Sequence, residues 1–318
     1  MKVLLTGSSG WLGRHLAPRL HEAGHDVVGL DVADGADTDH IGSVADKALV
    51  DALVTDERIE LVIHAGALHK PDIVRYPAQT FVDVNVSGTL NLLEAAARAG
   101  HDRFLFTSTT SLMVSDAVRA GDADTAFWMD EDFFAGPPRN IYGVTKAAAE
   151  NLCRLYAGLH GMDIAILRTG RFFPEDDDTI TSTAGPNLKA NEFLNRRLSV
   201  DDAAEAHIAA IDGIGGLGCE TFVLSASPAF SRDDCAALKR DARTVIALYF
   251  PDADQLYAER GWQLPETIDR VYDPSKAERL LGFRPKTDFA AILAAMRADA
   301  PLPYSHDPSY SSPKELVG

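Results

Sequence analysis

The first 31 residues constrain the fold most, because they combine a short apolar run with regularly spaced glycines. The run at 3–5 precedes Gly7, Gly10 and Gly13, spaced G-x-x-G-x-x-G, and an amphipathic stretch and a second apolar run follow. Such glycines close a tight turn, let backbone amides approach a pyrophosphate, and let the next helix pack near the sheet. An ordinary tight turn is the alternative, but the strand–turn–helix–strand context favours a dinucleotide site.

Asp31 ends the second apolar run, at the distance expected for the acid that binds a ribose 2′-hydroxyl. A carboxylate at this point would repel the 2′-phosphate of NADP, so the sequence predicts NAD as the cofactor. The alternative interpretation of Asp31 is a solvated loop acid without a ligand.

Apolar runs and amphipathic stretches alternate along the chain, which is typical of an α/β fold with helices on both faces of a parallel sheet. We therefore predict a Rossmann-type doubly wound parallel sheet with a smaller, discontinuous C-terminal substrate lobe. The predicted strands lie near 2–6, 26–31, 60–64, 103–107, 163–168 and 220–224, and the predicted helices near 11–23, 46–54, 79–99 and 143–160. The NAD-binding domain is expected at 1–169, completed by 196–225, the substrate lobe at 170–195 and 226–300, and a tail, or an arm that packs on another subunit, at 301–318.

The segment YGVTK places Tyr142 and Lys146 four residues apart, on one face of a predicted helix. A free phenol titrates near pH ~10, and a neighbouring ammonium or a positively charged nicotinamide favours the phenolate. Tyr142 is therefore a candidate base for an alcohol proton. A packed Tyr on an exposed helix face is the alternative, since this spacing also arises by chance.

The composition limits the partners of the chain. The 318 residues carry 47 acidic side chains against 30 Lys and Arg, which gives a net charge of −17. This surface repels phosphate backbones and anionic lipid heads, so we expect neither nucleic acid nor membrane as a partner. No apolar run reaches transmembrane length, and Met1 leads directly into the first predicted strand without a signal peptide, so we expect a cytoplasmic protein.

Cysteine and histidine positions give no sign of a metal site. Cys153, Cys219 and Cys235 are scattered without C-x-x-C spacing, which predicts neither a metal ligand set nor a disulfide framework. His64 ends an apolar strand, and we interpret it as a hydrogen-bonded structural residue.

Together with the glycines and YGVTK, several further segments make the chain similar to the extended short-chain dehydrogenase/reductase family, the NAD-dependent epimerases and dehydratases. They are LVIHAGA at 61–67, NVSGTLNLLEAA at 85–96, FLFTSTT at 104–110, RRLSVDDAAEAHIAAI at 196–211 and DPSKAERLLGFRPK at 273–286. Their order and separations carry more weight than any one of them. The resemblance implies an oxidoreductase of carbohydrate metabolism that acts on a sugar-type substrate as a homodimer.

The resemblance also implies roles for individual residues. Thr109 would orient the reacting alcohol beside Ser108, Tyr142 would remove its proton, and Lys146 would lower the Tyr pKa and bind the nicotinamide ribose. Ser43 stands where the family usually has an Asp that contacts the adenine amine, and its hydroxyl can still accept that hydrogen bond. The implied cofactor-binding residues are Gly7, Gly10, Trp11, Leu12, Gly13, Asp31, Ser43, Val44, Ala65, Gly66, Ala67, Asn85, Thr107, Tyr142 and Lys146.

Departures from the family bear on the substrate. The dehydratases that resemble this chain have Asp-Glu directly after the catalytic Thr, whereas Thr110 and Ser111 stand here, which disfavours elimination of water. The nucleotide-sugar epimerases usually have an Asn where this chain has Arg171, and a Gly-Pro turn where it has Pro-Glu at 174–175. The segment 168–197 is also short for a lobe that encloses a nucleoside diphosphate. A smaller substrate fits better.

This shortened segment resembles that of the uronate dehydrogenases, although those enzymes lack most of the C-terminal lobe indicated here. By this resemblance, Arg171 and Arg197 are candidate substrate-binding residues. With Lys189 and Arg196 they could form a carboxylate or phosphate clamp. An equally weighted alternative is that these cations neutralise the acidic run 175–178.

Three interpretations of function remain. The leading one is NAD-dependent oxidation of a secondary hydroxyl on a sugar or a sugar-acid-like substrate. Its close rival is a nucleotide-sugar epimerase that retains and recycles its NAD. A distant alternative is a non-catalytic dinucleotide sensor, which would have no use for a proton relay at Thr109, Tyr142 and Lys146.

Overall fold

The computed structural model describes residues 1–133, 136–176, 183 and 185–314. Seven strands form one sheet in the order β3-β2-β1-β4-β5-β7-β8, and every pairing in it is parallel. The strands are β1 Lys2–Thr6, β2 Asp26–Asp31, β3 His40–Ile41, β4 Leu61–His64, β5 Arg103–Thr109, β6 Phe127–Met129, β7 Asp163–Thr169, β8 Cys219–Leu224 and β9 Arg270–Tyr272. This order confirms the predicted doubly wound sheet. The short strands β3, β6 and β9 were not predicted.

The helices cover both faces of the sheet. Val3 and Leu5 of β1 belong to one buried cluster, with side chains of α1, α8 and α12, while Leu4 belongs to a second cluster with α2, α4 and α6. The helices are α1 Gly13–Glu22, α2 Lys47–Asp56, α3 Ala78–Phe81, α4 Gly88–Ala99, α5 Asp116–Ala120, α6 Ile141–His160, α7 Gly185–Glu192, α8 Val200–Gly213, α9 Cys235–Arg240, α10 Ala242–Tyr249, α11 Ala253–Glu259, α12 Ser275–Leu281 and α13 Phe289–Arg297. Among the described helices, none is long and apolar enough to span a membrane.

The helix predicted near 79–99 is interrupted. Val82–Ser87 form a π-helical turn between α3 and α4. Within this turn, Asn85 accepts a hydrogen bond from the Leu68 amide at 2.8 Å and donates to the Leu68 carbonyl at 3.0 Å. Such π-helical turns are rare inside α-helices and frequently occur at functional sites. Through Asn85, this turn holds the end of the loop that follows β4.

A smaller lobe lies beside the sheet. Its core contains side chains of α7, α9, α10, α11 and α13, with β6 and β9 paired as a two-stranded sheet. Strand β6 comes from within 1–169, the segment assigned from the sequence to the NAD-binding domain. In the structure, β6 pairs with β9 and so lies in the smaller lobe. The other predicted domain boundaries stay a prediction.

The C-terminal tail packs on its own chain through its described part, 301–314. Tyr304 donates to the Pro186 carbonyl at 2.7 Å, and the Asp307 amide donates to the Pro174 carbonyl at 2.8 Å. These contacts favour a tail over an arm that reaches another subunit.

Candidate active site

The glycine-rich turn lies between the end of β1 and the start of α1. Gly7 has a φ of +76°, and a Cβ there would lie 2.8 Å from the amide nitrogen of Gly66. A Cβ at Gly13 would lie 2.1 Å from the Gly7 carbonyl oxygen. No described residue accepts a hydrogen bond from the amides of Trp11 and Leu12, which precede the positive end of the α1 dipole. These features fit the pyrophosphate of a dinucleotide.

Asp31 lies next to this turn, at the carboxyl end of β2. One carboxylate oxygen accepts the Ser9 amide at 3.1 Å and the other accepts the Ala33 amide at 3.2 Å. These bonds orient a largely buried carboxylate beside the glycines, where it fits a ribose diol.

Ser43 and Val44 lie after β3, on the same side of the sheet as α4. The Ser43 hydroxyl accepts the Ala45 amide at 3.2 Å, and the Val44 carbonyl accepts a bond from Asn91 at 3.0 Å. A Cβ at Gly88 would lie 2.5 Å from a methyl of Val44, so only Gly permits this approach. The Ser43 hydroxyl is therefore already used in a turn.

Ala65, Gly66 and Ala67 form the loop that follows β4 and faces the glycine-rich turn. The Gly66 amide donates to the hydroxyl of Thr6 at 3.0 Å. The side chain of Asn85 is hydrogen-bonded to the main chain of Leu68 at the end of this loop. Asn85 therefore supports a cofactor site by holding the loop in place, and not by direct contact of its side chain with the cofactor.

Thr109 lies at the carboxyl end of β5, close enough to the phenol of Tyr142 for its hydroxyl to lower the pKa of that phenol. Lys146, one turn along α6, donates to the Thr107 carbonyl at 2.6 Å, and its ammonium lies 4.0 Å from the centre of the Phe106 ring. Asn140 caps α6 by accepting the Gly143 amide at 2.9 Å. The structure thus brings the three predicted catalytic side chains together.

The pKa values of Tyr142 and Lys146 differ from the expectation that Lys146 lowers the pKa of the phenol. Burial raises the pKa of Tyr142 to about 12, and the nearby Thr109 hydroxyl only partly opposes that effect. Burial lowers the pKa of Lys146 to about 8. Lys146 is not among the groups that shift the Tyr142 pKa in the cofactor-free chain. A bound nicotinamide therefore remains the positive charge available to favour the phenolate.

Two predicted residues turn away from this trio. The Ser108 hydroxyl donates to Glu150 at 2.7 Å, and Glu150 also accepts from Arg168 at 2.9 Å. The Thr107 hydroxyl is bonded to His207 at 2.8 Å. Side chains alternate along β5, so Ser108 points to the face covered by α6, where Glu150 accepts its hydroxyl, whereas Thr107 points to the face covered by α8 and His207. A substrate contact through the Ser108 side chain is not supported.

His69 and Phe173 line the site and were not identified from the sequence. The His69 ring lies 6.0 Å from the Tyr142 ring and 5.2 Å from the Phe173 ring, measured between centroids. Burial lowers the pKa of His69 to about 4, so its imidazole is neutral near neutral pH. His69 could have been identified from the sequence as a polar residue that follows a predicted strand, since ligands bind at the carboxyl ends of such strands.

The predicted cation cluster lies in the substrate lobe. Arg197 is 1% exposed, donates to Glu192 at 2.7 Å and to the Phe173 carbonyl at 2.6 Å, and its Nε has no partner among the described residues. Arg171 donates to the Asp176 carbonyl at 3.1 Å and lies 3.7 Å from the Glu175 carboxylate. Acidic residues therefore pair with part of each guanidinium, as the neutralisation alternative expects, and the substrate clamp stays a prediction.

The cluster surrounds a narrow crevice without room for a water molecule, lined by Arg171, Glu175, Asp176, Gly185, Leu188, Lys189, Glu192 and Arg197. One carboxylate oxygen of Glu175 is buried there without a described partner, and burial raises the pKa of this carboxyl. Burial and the nearby Arg197 lower the pKa of Lys189 to about 8. Arg196 pairs separately with Glu192 at 2.9 Å. Residues 177 and 178 of the acidic run lie outside the described residues.

Comparison with known proteins agrees with this arrangement. The chain is 30% identical to a UDP-glucose 4-epimerase of Azospirillum brasilense over 249 residues, 66% of this chain and 68% of the relative. It is 31% identical to an L-arabinose 1-dehydrogenase (NAD(P)(+)) of Haloferax volcanii over 188 residues, 55% of this chain and 69% of the relative. With other curated relatives the chain spans little more than half of their length, 56% and 57%.

A solved structure of a mutated uronate dehydrogenase is similar in fold, with a TM-score of 0.63 and 21% identity. The similarity covers 98% of this chain and 90% of that one. Residues 3–191 match the NAD dependent epimerase/dehydratase family, and this match includes the glycine-rich turn and YGVTK. The chain belongs to the NAD-dependent epimerase/dehydratase family.

Proposed function

We propose that the protein is an NAD-dependent dehydrogenase that oxidises a secondary hydroxyl of a free sugar or a sugar acid. The observation that carries the proposal is the placement of Thr109 beside Tyr142 at the carboxyl end of β5, with Lys146 one turn further along α6. Substrates of parallel α/β sheets bind at this edge.

In the proposed reaction, Thr109 holds the substrate hydroxyl and Tyr142 takes its proton. Lys146, held by the Thr107 carbonyl, positions the cofactor ribose. Asp31 binds the adenosine ribose and the turn at Gly7 receives the pyrophosphate. When bound, NAD accepts the hydride from the carbinol carbon.

The charge of the cation cluster in the substrate lobe favours an anionic substrate. Arg197 presents a buried Nε without a described partner there, which suits a carboxylate. The similarity to an arabinose dehydrogenase supports a free sugar.

A nucleotide-sugar epimerase that retains its NAD is the second candidate. The similarity to a UDP-glucose 4-epimerase favours it, and a cluster of cations also suits a diphosphate. Bound NAD in freshly purified protein would support this candidate.

The test is a screen of aldoses, uronates and nucleotide sugars for NADH formation, followed by absorbance. We expect NADH with an aldose or a uronate and none with nucleotide sugars. Epimerisation of a nucleotide sugar without net NADH would replace the proposal with its rival.

We also propose a cytoplasmic homodimer. Val144, Leu155 and Leu159 of α6 are 49%, 52% and 65% exposed, and apolar side chains on one long helix suit a contact with a second copy. The acidic composition suits a protein that binds neither nucleic acid nor membrane. Light scattering should give twice the chain mass, and Leu155→Glu with Leu159→Glu should give the monomer.

A further inference from the structure

The C-terminal tail crosses from the substrate lobe to the glycine-rich turn. It starts in the core of the small lobe, where Leu302 and Tyr304 pack. The Tyr304 ring lies 5.6 Å from the Phe193 ring, and its hydroxyl donates to Pro186 at the start of α7. This end of the tail is therefore anchored by both apolar and polar contacts.

The middle of the tail lies on the cation cluster. A ring nitrogen of His306 lies 2.7 Å from the Lys189 ammonium and 3.7 Å from the Asp176 carboxylate. Lys189 also donates to the Pro174 carbonyl, and the Asp307 amide donates to that same carbonyl. The tail thus contacts one cation of the cluster, Lys189.

The far end of the tail reaches the cofactor side of the site. The Tyr310 ring lies 5.2 Å from the Trp11 ring, edge-on, and the Arg14 guanidinium lies 5.5 Å from Trp11 and 5.6 Å from Tyr310. Arg75 donates to Ser311 at 3.3 Å. Tyr310 and Ser311 of the tail therefore contact the dinucleotide-binding domain.

A row of rings connects Tyr310 with the catalytic centre. Phe173 lies 6.4 Å from Tyr310 and 5.2 Å from His69, which in turn lies 6.0 Å from Tyr142. The tail is thus linked to the Tyr142 side of the site through Phe173 and His69.

We propose that residues 305–311 are a specificity-determining wall of the substrate pocket, which admits a free sugar or sugar acid and excludes a nucleoside diphosphate. The proposal rests on the proposed function. The wall acts by filling space between the lobes with His306 and Tyr310 and by engaging Lys189. It also completes the enclosure around a small substrate, which strengthens every polar contact inside by excluding water.

The test compares a chain that ends at Tyr304 with one that ends at Pro313. The shorter chain keeps the small-lobe core contacts of Leu302 and Tyr304 but loses the wall, whereas the control keeps the whole wall, including the Ser311 contact with Arg75. Uridine diphosphate is the binding probe, measured by calorimetry in the presence of NAD. We expect at least tenfold tighter binding by the shorter chain than by the control, and at least a tenfold loss of kcat/KM for the small substrate.

Tyr310→Ala gives a second route if the shorter chain does not fold. It should move both quantities in the same direction by a smaller factor, because the His306 contact remains. Unchanged diphosphate binding in a folded truncated chain and in Tyr310→Ala would overturn the wall. The diphosphate measurement requires no turnover. Failure of every free sugar to yield NADH would therefore reject the proposed function separately.

Discussion

In the dinucleotide-binding half of the site, Asp31 and Lys146 are held by main-chain groups, the Ser9 and Ala33 amides and the Thr107 carbonyl. In the substrate lobe, Arg197 is held by Glu192 and by a carbonyl, and a buried nitrogen is left over. Main-chain anchors change little when side chains are exchanged, whereas paired charges depend on each partner. The comparison suggests that the chemistry belongs to the first half and that substrate choice belongs to the second.

The largest effect should come from Tyr142→Phe. We expect a loss of turnover of about two to four orders of magnitude, the usual contribution of a general base, with the fold and NAD affinity retained. Thr109→Val should lose less, because it removes only an orienting hydrogen bond. Steady-state kinetics and NAD titration measure both. Near-normal turnover of Tyr142→Phe would mean that another group is the base, and loss of folding would favour a packing role.

Arg171→Ala tests the substrate half. If uronates are substrates, their KM should rise about 10- to 100-fold, since a charge-assisted hydrogen bond contributes roughly 1.5–3 kcal/mol. Neutral sugars should change little. Arg284→Ala is the matched control, because that side chain is 83% exposed and lies outside the crevice. An equal rise for charged and neutral sugars would remove Arg171 from substrate recognition.

Asp31→Ser tests the cofactor half. We expect the preference for NAD over NADP to narrow by about tenfold, mainly through weaker NAD binding, because the carboxylate accepts the ribose hydroxyl and repels an added phosphate. Fluorescence titration of both cofactors measures the ratio. Equal affinities in the unaltered protein would already contradict the assignment of Asp31.

The smallest expected effect is a change in the ultraviolet absorbance of Tyr142 when its phenol ionises. Burial raises the pKa of Tyr142 to about 12, above the free phenol value of about 10, so the protonated form should persist into mildly alkaline solution. Added NAD brings a positive nicotinamide, which should move the onset of ionisation to lower pH, and kcat/KM should rise with pH. The measurement is the ultraviolet difference between the unaltered protein and Tyr142→Phe, with and without NAD. A phenolate signal near neutral pH without cofactor would show that Lys146 alone lowers the pKa.

Local patterns predicted the parallel sheet and the closeness of Thr109, Tyr142 and Lys146. The glycine spacing follows from a tight turn beside Gly66, and the four-residue spacing of Tyr142 and Lys146 follows from one helical turn. His69 and Phe173 were missed because each approaches Tyr142 from a separate loop. Ser108 was assigned to the substrate although Glu150, 42 residues away, takes its hydroxyl.

By itself, the sequence determined the alternating strands and helices, the glycine-rich turn and the acid that follows it, because each depends on neighbours within one turn or one strand. Only the tertiary structure decided how the substrate side is closed. Lys189 meets His306 across 117 residues, and Tyr310 meets Trp11 across nearly the whole chain. Contacts between residues so far apart depend on how the two lobes and the tail pack, and no local periodicity records that packing.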